Sequence, residues 1–514
     1  MPKLLAVLAL MIAGSASAAD TKLYDPTWES IDNRPTPGWW SDAKFGIFIH
    51  WGVYSVPSFA PKGEYAEWYW ERIGRPGSPD PASRDARLRK EAREFHERVY
   101  GKDFPYFDFA PRFRAELFDA DRWAALFKRS GAKYVVLVSK HHDGFALWPS
   151  PQANASWGRP WNAMDAGPHR DLVGELASAV RRQNLEMGFY FSLYEWFNPL
   201  WTSQQYDTYV RQHLFPQFKD LVTRYSPSVI FADGEWELPS EQWHAPELLA
   251  WLYNDSPVAE KVVVNDRWGK ETRHRHGGYY TTEYGAGLPD ATHPWEENRG
   301  IGFSYGYNRN ENLDDYATGQ RLLLTLLDTV SRGGNLLLNV GPTADGRIPV
   351  VMQERLAYLG QWLDANGEAI YGTRTFREGA QWTEGRRQEV DTSTDFRAKY
   401  DVEQLTLHPA QGDARKEILF TRKGRTLYAI LPRYPQGPLT IRGLRIPKDA
   451  RVSLLGSDHS GIAWRQKRDD LVIAMPAIAD GELPFEGPRT LRIENAIRTD
   501  TDAAPSGSSP SAAR

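Results

Sequence analysis

Ser228-Val-Ile-Phe-Ala-Asp-Gly-Glu-Trp-Glu237 begins as a short apolar run and breaks at Asp233-Gly234. A run of this length is the signature of a strand buried on both faces, and the break joins a lone carboxylate to a residue free to turn. A (β/α)8 barrel presents its catalytic groups in this way, at the C-terminal ends of its strands. Asp233 is therefore the candidate nucleophile. An Asp-Gly turn after a core strand accounts for the same residues, so the reading depends on what accompanies it.

The same cadence repeats on both sides. Upstream, Lys44-Phe-Gly-Ile-Phe-Ile-His-Trp-Gly52 reads as a first strand ending at His50. A helix over 121–131 stops at Gly131 and leads into a strand over 132–139, which runs into Lys140-His-His-Asp-Gly-Phe145. A helix over 171–184 precedes a strand over 185–192 that ends in Leu193-Tyr-Glu-Trp196, and a helix over 204–225 precedes the Asp233 strand. Downstream, Lys261-Val-Val-Val-Asn-Asp-Arg-Trp268 is apolar up to Asn265-Asp266-Arg267. Residues 274–290 read as a loop, a long helix over 313–330 leads to a last strand over 335–340, and a helix over 353–366 closes the series with Gly367 as its cap. Alternating helices and apolar strands with polar residues at each strand end predict an α/β fold, a (β/α)8-type TIM barrel.

From about Thr373 the texture changes to short alternating runs, with a hairpin signal across Arg422-Lys-Gly-Arg425. This predicts a small all-β sandwich domain over 373–496, with a polar insertion near 383–415. Residues 1–18 have Lys3, an apolar run and Ala16-Ser17-Ala18, the pattern of a secretory signal peptide cleaved near Ala18 or Ala19. The expected division is thus a signal peptide at 1–18, a catalytic barrel at 19–372, the sandwich at 373–496 and a disordered Ser/Ala/Pro tail at 497–514. The mature protein would be secreted or periplasmic.

Composition limits the partners. The formal charge of −4 gives no argument for nucleic acid or an anionic membrane, and the chain beyond the leader has no apolar run of about 20 residues that would span a bilayer. There is no cysteine, so an exported chain must be held by its core alone. The 20 Trp, 24 Tyr and 22 Phe permit a carbohydrate site, because aromatic faces pack on sugar C–H faces as well as filling cores. A homo-oligomer is left open, with no residue from which to argue it.

Five strand or loop ends carry polar groups that a core would not require: His50, His141-His142, Tyr194, Asp233 and Arg267. Glu67 and Trp68, in a stretch of mixed carboxylates and aromatics, suit hydroxyls and a ring face, and equally suit the start of a helix with buried rings. His141-His142-Asp143 and His274-Arg-His276 raise the question of a metal. Neighbouring histidines on one strand point to opposite faces and no metal-ligand spacing is present, so no metal or other cofactor is expected.

Phe45-Gly-Ile-Phe-Ile-His-Trp-Gly, Lys140-His-His-Asp-Gly-Phe, Ser192-Leu-Tyr-Glu-Trp, Phe231-Ala-Asp-Gly-Glu-Trp, Val264-Asn-Asp-Arg-Trp-Gly and Gly333-Gly-Asn-Leu-Leu-Leu-Asn-Val-Gly-Pro together resemble the successive blocks of the α-L-fucosidases of glycoside hydrolase family 29. The resemblance spans roughly residues 25–375, extends to the β-rich remainder, and is greatest for the lysosomal-type, broad-specificity branch. It implies a retaining exo-α-L-fucosidase acting on fucosylated glycans by double displacement, with Asp233 as nucleophile. The acid/base falls on Glu283 of Tyr280-Thr-Thr-Glu-Tyr284, with Glu296 of Trp295-Glu-Glu-Asn298 as the alternative. The other ligands it implies are His50, Glu67, Trp68, His141, His142, Tyr194, Arg267 and Tyr305. The rival readings are a fucose-binding protein that has lost catalysis and a different TIM-barrel hydrolase.

Overall fold

The structure, a computed structural model, describes residues 24–77, 80–288, 291–388 and 396–497. The expected signal peptide lies outside the described residues, as does all of the expected tail but Ile497. Eight parallel strands form one curled sheet in the order β5-β4-β3-β2-β1-β8-β7-β6. They are β1 (Phe45–Ile49), β2 (Tyr134–Lys140), β3 (Glu186–Ser192), β4 (Val229–Asp233), β5 (Val263–Val264), β6 (Tyr280–Glu283), β7 (Trp295–Gly300) and β8 (Asn335–Val340).

The strands are buried on both faces, and the two faces form separate apolar layers. Phe48, Tyr134, Val136, Val138, Tyr190, Val229, Phe231 and Leu337 fill the barrel interior. Ile47, Ile49, Val135, Leu137, Phe189, Phe191, Ile230, Ala232, Leu336 and Leu338 pack outward, beneath the helices. This is the period of two of a pleated strand, and it explains why a strand buried on both sides reads as a continuous apolar run. Gly46 is an interior position where even a methyl group would fall 2.3 Å from the Tyr134 ring; its bareness lets that ring cross the barrel.

The sequence reading needs three corrections. Residues 204–225 are not one helix: Tyr206–Thr208 passes into a π-helical turn, Tyr209–Leu214, and then an α-helix, Phe215–Tyr225. Pro216 lacks the N–H that would continue the ladder across the join. The helix expected from 313 begins at Gly319, where the Thr318 side chain accepts from Arg321 N at 3.1 Å. Gly367 caps the helix ending at Asn366 as expected, but at φ −59° instead of in the left-handed form, and carries the chain into a 3-10 turn. The loop expected at 274–290 contains β6, and Trp295–Gly300 is a further strand. No helix occurs among the described residues between β5 and β6 or between β6 and β7.

The remainder forms a five-stranded antiparallel sheet, β9 (Arg374–Trp382), β10 (Lys416–Lys423), β11 (Thr426–Leu431), β13 (Arg451–Leu454) and β16 (Arg489–Glu494). A three-stranded sheet of β12 (Leu439–Ile441), β14 (Trp464–Lys467) and β15 (Asp470–Ile473) accompanies it. Phe376, Ile418, Phe420, Leu427, Leu471 and Ile473 share its core. The sheets are tied to the barrel helix Gly319–Ser331 through Asp328, which is fully buried and accepts from Lys416, from Arg332 Nη2 at 2.9 Å and from Tyr400 Oη at 2.8 Å. Burial alone would raise this carboxyl, but the charges of Lys416 and Arg332 hold it below the usual range. Removing one member of such a group leaves a buried charge uncompensated. Asp328→Ala should therefore destabilise the protein by about 3–5 kcal/mol in chemical denaturation; a loss below about 1 kcal/mol would contradict a structural role for the cluster.

Candidate active site

The interior positions of β4 are Val229, Phe231 and, continuing the alternation, Asp233. The same counting on β1 passes through Gly46 and Phe48 to His50 just beyond the strand, on β6 through Thr281 to Glu283, on β7 through Glu296 to Asn298, and on β8 through Leu337 to Asn339. The strands thus deliver His50, Asp233, Glu283 and Asn298 to one cavity of about 320 Å3 at the C-terminal end of the sheet. It lies at the small end of ligand-site volumes, about 300–1,000 Å3, which suits a single sugar ring. Glu67, Trp68, His141, Arg267 and Tyr305 also line it.

Arg267 organises the charge. Its Nη1 donates to Asp233 Oδ1 at 2.9 Å, its Nη2 to Glu283 Oε2 at 3.3 Å and its Nε to Thr281 Oγ1 at 3.0 Å. Asp233 Oδ2 accepts from the Tyr190 hydroxyl at 2.8 Å, and His142 Nε2 stands 3.6 Å from the same oxygen. Burial pushes the Asp233 carboxyl up, but the Arg267 charge and then His142 outweigh it and hold the group well below the usual carboxylate range. Gly234 turns the chain away at φ +76°, where a Cβ would sit 3.0 Å from Tyr194 N. The Asp-Gly pair therefore ends the strand and aims its acid into the cavity at once.

The uncharged polar groups are set by their neighbours. Asn339 donates through Nδ2 to Tyr305 O at 2.7 Å, so its Oδ1 is the acceptor facing His50 Nδ1, also at 2.7 Å. Burial lowers His50 to about 3. The ring is neutral, carries its proton on Nδ1, and leaves Nε2 as an acceptor. Glu67 accepts from Gly306 N at 2.8 Å and Ser304 Oγ at 3.3 Å, and burial raises it to about 7. His141 is held neutral by burial, with His142 and His50 adding to the effect.

A fully buried network stands behind the two histidines. Glu195 Oε1 accepts from Lys140 Nζ at 2.6 Å and contacts His213 Nε2 at 2.7 Å, while its Oε2 accepts from Asn198 Nδ2 at 2.7 Å and Trp157 Nε1 at 3.0 Å. It pins the end of β2 to the loop after β3. Among the described residues, no group of three or more His, Asp or Glu side chains is arranged to hold a metal ion.

Three expected residues stand elsewhere. Tyr194 accepts from Arg75 Nη2 at 2.6 Å, packs on Trp201 at 4.7 Å and is not a lining residue. His142 contacts Ser192 Oγ at 2.5 Å and lies behind Asp233 rather than on the cavity wall. Glu296 sits one interior layer below Asn298, about 7 Å deeper at about 3.3 Å per residue; it is fully buried, accepts from the Tyr134 hydroxyl and does not line the cavity. Sequence reasoning missed Tyr190, Tyr65, Trp236, Arg273, Asn298 and Phe396, which contact Asp233 or line the cavity. Period-two counting back from Ser192 would have found Tyr190; Phe396 has no such signal.

Residues 11–368 match the family model described as Alpha-L-fucosidase, and residues 411–494 match that of the Alpha-L-fucosidase C-terminal domain. The chain belongs to the α-L-fucosidase family. It is 39% identical to a Homo sapiens tissue alpha-L-fucosidase over 95% of this chain and 96% of that one. It is 41% identical to a Rattus norvegicus plasma alpha-L-fucosidase, over 96% and 99% of the two chains. Among solved structures it is similar to Thermotoga maritima alpha-fucosidase in complex with a mechanism-based inhibitor, with TM-score 0.70 and 34% identity over 92% of this chain and 100% of that one.

Burial raises Glu296 to about 8, with only partial relief from the Tyr134 hydrogen bond. A carboxyl raised in the fold contributes stability below its unfolded pKa, and that contribution is lost as pH rises through about 8. Glu296→Gln keeps the shape and cannot ionise. Its stability relative to wild type should therefore improve as pH is raised from about 6 to about 9, read by denaturation at each pH; a difference constant with pH would contradict a neutral Glu296.

Proposed function

We propose that the chain is a retaining exo-α-L-fucosidase that removes terminal α-L-fucosyl residues from glycans, with Asp233 as nucleophile and Glu283 as acid/base. The observation that carries this reading is the Arg267 guanidinium, which hydrogen-bonds both carboxylates at the head of a one-sugar cavity. Two carboxyl groups held by one guanidinium supply the nucleophile and the acid/base that double displacement requires.

In the first step an Asp233 oxygen bonds to the anomeric carbon while the C1–O bond to the aglycone breaks, and Glu283 gives its proton to the departing oxygen. In the second, Glu283 takes a proton from water, the water oxygen bonds to C1, and the ester bond to Asp233 breaks. Arg267 and the Tyr190 hydroxyl keep Asp233 ionised and aimed. The acceptor nitrogen of His50, with Glu67, His141 and Arg267, would take the ring hydroxyls; Tyr305 and Phe48 form an apolar wall suited to the C5 methyl. His142 then acts by positioning Asp233, and Tyr194 supports the loop instead of touching the sugar.

The proposal also includes export directed by residues 1–18 and a division into barrel and sandwich at about residue 373. No helix among the described residues is long and apolar enough to cross a membrane.

Release of nitrophenol from 4-nitrophenyl α-L-fucoside tests the roles. Asp233→Ala should lose about 10^4-fold or more in kcat, and Glu283→Ala about 10^2–10^4-fold with partial rescue by azide as the α-fucosyl azide, formed when azide displaces the Asp233 ester. Glu296→Gln should keep activity within about tenfold. Normal turnover by Glu283→Ala, or loss on the Glu283→Ala scale by Glu296→Gln, would overturn the acid/base assignment; an inert wild type would favour a fucose-binding protein.

A further inference from the structure

Phe396 belongs to the segment between β9 and β10, more than 100 residues along the chain from Glu283, yet the two pair as an isolated parallel bridge. Arg397 N donates to Glu283 O at 2.8 Å, so the segment is fastened to the backbone of the acid/base itself. The Arg397 guanidinium lies 4.8 Å from the Tyr65 ring, 4.7 Å from Phe303 and 5.0 Å from Phe396. Tyr65 in turn donates through its hydroxyl to Glu283 Oε1 at 2.8 Å. Four residues on, Tyr400 is anchored to Asp328. Phe396 is thus held on a fixed support at the cavity.

Its exposure is what needs a reason. Six large apolar side chains are strongly exposed among the described residues, and Phe396, at 41%, is the one that is aromatic and lines the cavity. The residues that define the inner end, Phe48, His50, Glu67 and Tyr305, are 2–4% exposed. Phe396 therefore stands at the mouth, beside Glu283, while the fucosyl ring would occupy the interior.

We propose that Phe396 forms the platform of a leaving-group subsite, stacking on the C–H face of the pyranose from which fucose is removed. The inference rests on the roles given above to Asp233 and Glu283. Attack from Asp233 and protonation by Glu283 require the departing oxygen to lie at Glu283, so the next sugar must leave the cavity past the residue paired with Glu283. An aromatic face there meets a ring that would otherwise stand in water, and it recognises a pyranose face without selecting one hydroxyl pattern. Half-buried Trp236 and Arg273 supply further wall at the same cavity. The segment linking the two antiparallel strands thus contributes to substrate choice in the barrel.

The test compares α-L-fucosyl fluoride, whose leaving group is too small to reach Phe396, with fucosyl-galactose and fucosyl-N-acetylglucosamine disaccharides. Phe396→Ala keeps the backbone pairing with Glu283 and removes only the ring. It should raise the ratio of kcat/KM for the fluoride to that for the disaccharides about five- to tenfold, and Phe396→Tyr should restore the wild-type ratio. A ratio unchanged within about twofold on every disaccharide, or an equal fall on all substrates, would overturn the proposal; the equal fall would mean that Phe396 acts through Glu283. If wild type hydrolyses none of them, the catalytic reading fails by itself. Calorimetry then decides the subsite: Phe396→Ala must weaken disaccharide binding more than L-fucose binding, and equal affinities in variant and wild type would reject it.

Discussion

The sheet has a seam, and Arg267 spans it. β5 is two residues long and does not pair with β6 as a strand; Tyr279 N to Val264 O, at 3.2 Å, joins the two edges in the backbone. Side chains complete the closure. Asp266, beside β5, accepts from Thr281 N at 3.2 Å and from Thr281 Oγ1 at 2.7 Å, and Arg267 reaches the same threonine before extending to Glu283. The other end of the guanidinium holds Asp233 on β4. Asp266 and Arg267 therefore reinforce the closure that Tyr279 N and Val264 O make in the backbone, and Arg267 also fixes the two carboxylates relative to each other.

The electrostatics follow from the same arrangement. Transferring an isolated charge into a buried site is costly unless it is paired, and buried groups without partners shift toward neutrality. His50 and His141 are kept neutral by burial, and Glu67 and Glu296 are raised to about 7 and about 8. Asp233 is the exception, because Arg267 stands against it. The cavity thus holds an ionised Asp233 against the Arg267 guanidinium, with the neutral rings of His50 and His141 nearby. A transition state that develops positive charge at the anomeric carbon meets a preorganised anion there.

Much of this was legible in the sequence, and what was not has a physical reason. β4 is visible because both of its faces are apolar until the last residue, and β8 because Leu336-Leu-Leu338 forms an apolar run between Asn335 and Asn339. β6 and β7, Tyr280-Thr-Thr-Glu283 and Trp295-Glu-Glu-Asn-Arg-Gly300, carry site residues at their interior positions, so no apolar run marks them and they pass for loop. That is also why Glu283 was expected on a loop when it ends a strand. Tyr194 misled for the opposite reason: it follows a genuine strand, but the chain has already turned, with Ser192 Oγ donating to Tyr194 O at 2.5 Å. Phe396 reaches the cavity from a segment more than 100 residues along the chain from Glu283, and no local pattern encodes such a contact.

The proposed mechanism depends on Asp233, held ionised by Arg267, forming the covalent intermediate. Incubation with 2-deoxy-2-fluoro-α-L-fucosyl fluoride, followed by peptic digestion and mass spectrometry, tests it most directly, because the fluorine slows breakdown of the glycosyl-enzyme. One added fluorofucosyl group, carried as an ester on Asp233, is the expected result. Labelling of Glu235 or Glu283 instead, or no label together with release of 2-deoxy-2-fluoro-L-fucose in the inverted configuration, would contradict it.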